Sequence, residues 1–195
     1  MGQVMGEKGF YSKDIIKTSN KDDWETPQQL FEDLDYYYNF TLDPCATHEN
    51  AKCEKYFTKE DDGLLKSWKD EIVFMNPPYG RDIKLWIKKA HNEYMFNNAT
   101  VVCLIPARTD TSYWHEYIFN NGYDVKFLRG RLKFERDGFP GDPAPFPSAL
   151  VIMSGSGNTD LSYDENPLVY KSRKDMFMDN KMTPQQIRLE KRGVK

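Results

Sequence analysis

The stretch from residue 72 to residue 105 constrains the fold more than any other part of the chain. Ile72 to Met75 is an apolar run of mostly strand-forming residues that leads directly into the loop Asn76 to Gly80. From Asp82 to Asn97 the apolar residues recur every three or four positions, which predicts an amphipathic helix. Thr100 to Ile105 is almost wholly apolar and β-branched, as expected of a buried parallel strand. This order predicts an α/β domain with a mostly parallel central sheet flanked by helices.

Shorter segments before this stretch add to the predicted architecture. Thr26 is placed to be the N-cap of a helix over Gln28 to Tyr38, with Pro27 in its first turn. Phe40 to Asp43 is predicted to be a short strand, and Lys55 to Thr58 an edge strand.

The segments after residue 105 predict one more helix and two more strands. Ser112 to Asn120 is predicted to be helical, and Val125 to Leu128 to be a strand. Gly138 to Pro147 is rich in proline and glycine, which predicts a loop. Ser148 to Met153 is then a closing strand that pairs with its predecessor as a hairpin near the carboxyl end.

The tetrapeptide Asn76-Pro77-Pro78-Tyr79 carries residue types suited to one reaction. The Asn76 side-chain carbonyl and the Pro77 backbone carbonyl are acceptors for the two N–H bonds of an amine on a planar ring. The proline pair fixes φ and keeps these acceptors aimed, while Tyr79 offers a flat face for stacking. Holding both protons takes the nitrogen lone pair out of conjugation and makes the amine a nucleophile. Taken alone, the four residues also fit a strand-terminating turn with a buried tyrosine.

Asn76-Pro77-Pro78-Tyr79 after an apolar strand resembles the catalytic loop of amino-group methyltransferases that depend on S-adenosylmethionine. Further stretches resemble the small phage-type DNA N6-adenine methyltransferases, the Dam-like family, and the likeness covers residues 22 to 153. These stretches are Trp24-x-Thr26-Pro27, Leu42-Asp43-Pro44-Cys45-Ala46, Asp61-Asp62-Gly63-Leu64 with Trp68, Pro106-Ala107-Arg108-Thr109-Asp110-Thr111 and Arg129-Gly130-Arg131-Leu132-Lys133-Phe134. The resemblance implies a Rossmann-like fold with helices on both faces of the sheet and a cofactor pocket over the strand ends.

The resemblance also implies where S-adenosylmethionine lies. The Thr26-Pro27 step of the family touches the methionine end of this cofactor, and Asp43 would answer its α-ammonium group. Asp62 would accept from the adenine amino group of the cofactor, with Leu64 against the ring. The residues assigned to the cofactor are Trp24, Thr26, Pro27, Asp43, Pro44, Asp62, Leu64 and Asn76, and those assigned to catalysis are Asn76, Pro77, Pro78 and Tyr79.

The chain departs from the family pattern after Asp43. The glycine-rich turn expected there is missing, and Cys45-Ala46-Thr47 stands in its place. Alternatives therefore stay open, because Asp43 could cap the backbone N–H of Thr47 or Ala46 and Thr26 could be a plain helix cap. The acids at residues 60 to 62 could form a solvated acidic turn, and which of them meets the cofactor is undecided.

Basic residues in two segments favour contact with DNA. Arg108 is suited to a phosphate near the flipped nucleotide, although it could instead pair with Asp110 or cap a helix. The segment from residue 129 to residue 134 interleaves basic with apolar and aromatic residues, as in a backbone clamp, although an exposed edge strand would look similar. The residues assigned to DNA are Arg108, Thr109, Thr111, Arg129, Arg131 and Lys133.

Composition limits the alternatives. The net charge of −3 argues against a protein that coats DNA indiscriminately. With three cysteines, a disulfide framework is not supported, and a metal site built from Cys45, His48 and Cys53 is a weak alternative, so no metal is expected. Without a long apolar run or a recognisable leader, we expect no membrane association and a cytoplasmic protein, encoded by a phage or prophage in a bacterial host.

The sequence therefore predicts a site-specific enzyme that methylates N6 of a flipped-out adenine in double-stranded DNA, within a target of about four base pairs. The alternatives are methylation of cytosine N4, of RNA or of a protein glutamine, and a catalytically silent DNA-binding relative. Residues 1–21 are predicted to be a flexible arm, residues 22–153 the methyltransferase domain, and residues 154–195 a polar tail with a short helix.

Overall fold

The computed structural model describes residues 24–136 and 138–155. The predicted N-terminal arm and nearly all of the predicted C-terminal tail lie outside the described residues, so the domain limits stay predictions. Within the described ranges, no helix is long and apolar enough to cross a membrane.

The described chain is a mixed α/β structure with two α-helices and eight strands. The α-helices are α1 (Gln28–Tyr38) and α2 (Ile83–Asn97), and a short π-helix (Trp114–Ile118) is followed by a 3-10 turn (Phe119–Asn121). The strands are β1 (Leu42–Asp43), β2 (Lys55–Tyr56), β3 (Ile72–Met75), β4 (Thr100–Pro106), β5 (Asp124–Phe127), β6 (Lys133–Arg136), β7 (Phe139–Pro143) and β8 (Ser148–Met153).

Six of these strands form one sheet in the order β2-β1-β3-β4-β8-β5. The four strands β2, β1, β3 and β4 are parallel, whereas β8 runs antiparallel between β4 and β5. The prediction of a mostly parallel central sheet is therefore confirmed. The parallel strands β1, β3 and β4 all end at the same edge of the sheet. This edge therefore carries Asp43, Asn76 and the segment after Pro106.

The hydrophobic core is formed around β4 and β8, the two strands of the sheet with the most buried residues. Every residue of β8 and all but the first residue of β4 are buried, as their apolar β-branched composition predicts. Helix α1 adds Leu30, Phe31 and Leu34 to the core, and α2 adds Ile83, Ile87 and Ala90. Both α-helices end at an asparagine in the left-handed conformation, Asn39 and Asn98, each with φ 54°.

Two local predictions were wrong. Thr26 is not the N-cap of α1: Pro27 occupies that position, and the helix has no side-chain cap of its own. Its first residue, Gln28, instead donates its backbone N–H to the Glu135 carboxylate at 3.1 Å. The predicted loop from Gly138 to Pro147 contains β7, which pairs with β6 in a separate two-stranded sheet.

The closing strand was predicted only in part. β8 does pair antiparallel with the earlier strand β5, as expected, but it also pairs with β4 and is thereby central in the sheet. The predicted helix over residues 112–120 is present but irregular, because most of it is the π-helix and its end is the 3-10 turn.

Candidate active site

The side-chain amide of Asn76 lies at the carboxyl end of β3 and is held by two acceptors. Asn76 Nδ2 donates to the Trp24 backbone carbonyl and, at 2.9 Å, to Thr26 Oγ1. A backbone carbonyl can only accept, so the NH2 group of the amide must face Trp24. Asn76 Oδ1 is buried and has no hydrogen-bond partner within the described residues. The site therefore presents one aimed acceptor whose bonding capacity is unused.

The rest of the tetrapeptide lies partly at the surface. Asn76 is half-buried, Pro77 is buried and Pro78 is exposed. The loop is therefore not enclosed in the core, although its tyrosine is.

Tyr79 differs from the expected open stacking face. Its side chain is only 5% exposed, and its hydroxyl donates to the buried Leu104 carbonyl at 3.1 Å. Phe134 and Phe146 meet its ring nearly at right angles, with centroids at 5.9 and 5.5 Å. Burial raises the pKa of the Tyr79 phenol well above its usual value, so it stays a neutral donor. In this structure Tyr79 has the contacts expected of a buried tyrosine.

An aromatic cluster brings four separate sequence motifs together. Trp24 packs on Phe134 and Phe146 with centroids at 5.3 and 5.2 Å, and both of these phenylalanines contact Tyr79. The Arg108 guanidinium lies 5.5 Å from the centre of the Phe146 ring, a cation–π contact. The N-terminal Trp-x-Thr-Pro motif, the tetrapeptide, Arg108 and the basic segment before β6 thus lie side by side.

Four of the residues assigned to the cofactor, Asp43, Pro44, Asp62 and Leu64, form a second group at the end of β1, the strand next to β3. Asp43 is 5% exposed, and its two carboxylate oxygens accept the backbone N–H groups of Cys45 and Lys52, each at 3.1 Å. The predicted alternative of a turn cap is thus realised, but with other donors: Ala46 N–H bonds to Phe57 and Thr47 N–H to Asn50. Burial raises the pKa of Asp43 to about 6.

The Asp62-Gly63-Leu64 step packs directly against the turn after Asp43. A Cβ built on Gly63 would lie 2.3 Å from the Pro44 carbonyl oxygen, so only glycine fits there. Trp68 Nε1 donates to the Gly63 carbonyl at 3.0 Å and fixes the step from the other side. The structure therefore brings the turn after Asp43 and the Asp62-Gly63-Leu64 step together.

Asp61 and Asp62 make different hydrogen bonds. Asp61 accepts from both the backbone N–H and the hydroxyl of Thr58 at 2.9 Å, and these hydrogen bonds lower its pKa. Asp62 has a positive φ of 55° and accepts the Leu64 N–H at 3.2 Å. Asp61 is thus engaged in its own turn, which leaves Asp62 as the acid on the step that packs against Pro44.

The predicted DNA-contacting residues are accessible. Arg108, Thr109, Arg129, Arg131 and Lys133 are exposed, and Thr111 is half-buried. Thr111 Oγ1 donates to the Arg108 carbonyl at 2.7 Å, which closes a tight turn after β4. The ion pairs found in the described ranges do not include one between Arg108 and Asp110, so that alternative is not realised.

Comparison with known proteins now places the chain. A family model described as "DNA N-6-adenine-methyltransferase (Dam)" matches residues 13–181. A protein of Haemophilus phage HP1 (strain HP1c1), named DNA N-6-adenine-methyltransferase, is 30% identical over 147 residues, which cover 73% of this chain and 84% of the relative. A protein of Escherichia phage T1 with the same name is 32% identical over 133 residues, which cover 67% of this chain and 53% of the relative.

The chain belongs to the Dam family of DNA N-6-adenine-methyltransferases. The family expected from the sequence is thus confirmed.

One contact of this Dam-family chain has no local signal in the sequence. Glu135 of β6 pairs with Glu25 through its backbone N–H, at 2.9 Å, while its carboxylate accepts the Gln28 N–H. This places the start of α1 and the Trp24–Thr26 segment against the hairpin that follows the basic residues. Gln28 and Glu135 are 107 residues apart in the sequence, so only the folded chain reveals the contact.

The weak metal alternative finds no support in the geometry of this Dam-family protein. His48 Nδ1 lies 2.9 Å from the Tyr56 hydroxyl, and Cys45 and Cys53 are free thiols. In the parts of the chain that are described, no three side chains of His, Cys, Asp or Glu are grouped so that they could hold a metal ion.

Proposed function

We propose that this Dam-family enzyme transfers a methyl group from S-adenosylmethionine to N6 of an adenine that has swung out of a DNA duplex. One observation carries the proposal: Asn76 Oδ1 is a buried acceptor without a partner in the described chain, and its amide is locked with the oxygen facing away from Trp24. A buried acceptor left unfilled costs free energy, and an exocyclic amine supplies the missing donor. We further propose that the mostly parallel sheet is Rossmann-like.

The second group of residues fits the proposed cofactor. Asp43 is buried beside the end of a parallel strand, where an α-ammonium group would relieve the cost of its charge. Asp62 and Leu64 are held against the Pro44 turn by the contact at Gly63 and can receive the adenine end. Trp24, Thr26 and Pro27 lie next to Asn76 and would line the methionine end. When bound, S-adenosylmethionine supplies a methyl group attached to a sulfonium, which is a good leaving group.

The chain's own contribution to the reaction is to hold an amine. Asn76 Oδ1 accepts one N6–H, and the Pro77 carbonyl is proposed to accept the other. Both bonds favour a nitrogen whose lone pair points out of the ring conjugation and towards the methyl carbon. The two oxygens would stabilise the positive charge that develops on the nitrogen as it takes the methyl group, with the donor leaving as a neutral thioether and the surplus N–H proton passing to water.

Tyr79 is proposed to support the base by stacking. Because only 5% of its side chain is exposed, a base can reach its ring only if Phe134 or Phe146 moves aside. Phe146 is the better candidate, since it lies on an irregular segment between β7 and β8 whereas Phe134 lies within β6.

DNA contact is proposed for six polar residues that lie in two segments of the chain. Arg108 lies at the aromatic cluster, and the other residues of this set follow β4 or precede and begin β6. These positions favour phosphate contacts on either side of an extruded nucleotide. The set is Arg108, Thr109, Thr111, Arg129, Arg131 and Lys133. We propose that the enzyme acts in the cytoplasm of a bacterial host and is encoded by a phage or prophage.

The reaction is tested by product identity. The purified protein is incubated with unmethylated duplex DNA and S-adenosylmethionine carrying a labelled methyl group, and the digested nucleosides are resolved by mass spectrometry. The expected product is N6-methyladenine carrying the label. N4-methylcytosine would show that the same acceptors serve another amine, and absence of label in DNA, with RNA and protein offered in parallel, would overturn the proposal.

A further inference from the structure

Thr26 makes a contact that its assignment to the cofactor does not explain. Its side chain is 3% exposed, and its hydroxyl oxygen accepts a hydrogen bond from Asn76 Nδ2 at 2.9 Å. A threonine just before a helix commonly caps it, but α1 has no side-chain cap. The hydroxyl therefore bonds to the Asn76 amide of the catalytic loop and does not cap the helix.

We propose that Thr26 is a positioning residue for the reaction, which acts together with the Trp24 carbonyl to hold the Asn76 amide in its reactive position. This inference rests on the proposed function. The amide could rotate by half a turn and exchange its oxygen and nitrogen. In that orientation the NH2 group would face the incoming amine, donor against donor, and transfer would stop. The Trp24 carbonyl can only accept and therefore opposes that rotation, while the Thr26 hydroxyl accepts the second hydrogen of the NH2 group and holds the amide in place.

The segment that carries Thr26 is held in place by distant contacts. Glu25 pairs with Glu135 of β6 at 2.9 Å, and the Glu135 carboxylate accepts the N–H of Gln28. Residues on both sides of Thr26 are thus fixed to the β6–β7 hairpin. A hydroxyl held so firmly can fix the position of its partner amide, because moving it would break contacts on either side.

The test uses two substitutions that differ in the hydroxyl. Thr26→Val keeps the branched shape and removes the acceptor, whereas Thr26→Ser keeps the acceptor and loses a methyl group. Turnover of Thr26→Val with duplex DNA should fall by about tenfold to a hundredfold, the cost of leaving a buried N–H unpaired. With saturating S-adenosylmethionine, its dissociation constant for DNA should stay within about threefold of wild type, and Thr26→Ser should recover most of the turnover.

A second readout observes the amide itself and does not depend on activity. In 15N-labelled protein the two side-chain NH2 resonances of Asn76, assigned by their absence in Asn76→Asp, should shift in Thr26→Val and return near their wild-type positions in Thr26→Ser. If Thr26→Val does not fold, the same comparison is made between Thr26→Ala and Thr26→Ser.

The outcomes separate this inference from the proposed function. If the wild-type protein leaves adenine unmodified, the proposed function fails, while the resonances still report on the contact. If the wild type is active and Thr26→Val retains its turnover or its Asn76 resonances, the positioning role is wrong. Loss of cofactor affinity with unchanged turnover at saturation would likewise overturn it and return Thr26 to the cofactor alone.

Discussion

Gly63 packs against the Pro44 carbonyl so closely that a Cβ at residue 63 would lie 2.3 Å from that oxygen. The same Cβ would lie 3.1 Å from the Trp86 side chain, so neither side offers room. This contact joins the turn after β1 to the Asp62-Gly63-Leu64 step, although nearly twenty residues separate them. The two halves of the proposed cofactor pocket therefore depend on one residue without a side chain.

Gly63→Ala should push the Asp62-Gly63-Leu64 step away from the Pro44 turn. The new methyl group must displace the Pro44 turn, so we expect the affinity for S-adenosylmethionine to fall by about tenfold or more, and the free energy of unfolding by about 1–3 kcal/mol. Isothermal titration and denaturant unfolding measure the two effects. Gly155→Ala is the matched control, because nothing lies within 4 Å of a Cβ at that position. Equal cofactor affinity in both variants would contradict the packing argument.

Asp43 should make cofactor binding depend on pH. Burial raises the pKa of this carboxyl to about 6, and an α-ammonium group binds its charged form. The dissociation constant of S-adenosylmethionine should therefore be flat above about pH 7 and rise by up to about tenfold per pH unit below about pH 6. Asp43→Asn should bind more weakly and lose this dependence.

The raised pKa of Asp43 also makes the free energy of unfolding depend on pH. A carboxyl with a raised pKa binds more protons when folded, so its contribution to stability falls as pH rises from about 4, its ordinary range, to about 6. Bound cofactor offsets the charge cost above that window. The increase in Tm on adding cofactor should thus be larger at pH 7 than at pH 5, and an equal increase at both pH values would exclude the Asp43 contact.

Two substitutions of Tyr79 can distinguish the contribution of its hydroxyl from that of its ring. Tyr79→Phe leaves the buried Leu104 carbonyl without its 3.1 Å partner, which should cost about 1 kcal/mol of unfolding free energy and leave turnover nearly unchanged. Tyr79→Leu removes the ring and should lower turnover by about tenfold or more, while DNA affinity changes less. Steady-state kinetics and thermal unfolding measure both. Equal turnover of Tyr79→Leu and Tyr79→Phe would exclude stacking on this ring.

Arg131 should contribute to DNA binding through charge. It is exposed near the start of β6, so Arg131→Gln should weaken binding of all duplex sequences alike and reduce the salt slope by about 1. Lys88→Gln is the charge-matched control, since Lys88 is exposed on α2. Fluorescence anisotropy at several salt concentrations measures both slopes. A slope that Lys88→Gln lowers as much as Arg131→Gln would mean that only net charge matters.

Local patterns in the sequence were sufficient for elements whose signal is local. The limits of α1 and β3 and the burial of β4 follow from periodicity and apolar runs, which need no distant partner. The Asn76 acceptor was also predictable, because its residue type and its place after a strand define it. A buried Tyr79 was one of the two predicted alternatives. Its contact with Phe146 and the use of Thr26 by Asn76 were not predictable, since each depends on residues brought together only by folding.

The most direct test of the account is the single-turnover rate of methyl transfer by Asn76→Ala, measured by rapid quench with saturating S-adenosylmethionine and duplex DNA. Because Asn76 Oδ1 is the proposed acceptor for the target amine, we predict a loss of about a hundredfold or more, with the dissociation constant for S-adenosylmethionine within about threefold of wild type. A rate within about threefold of wild type would contradict the account, since the amine would then need no such acceptor.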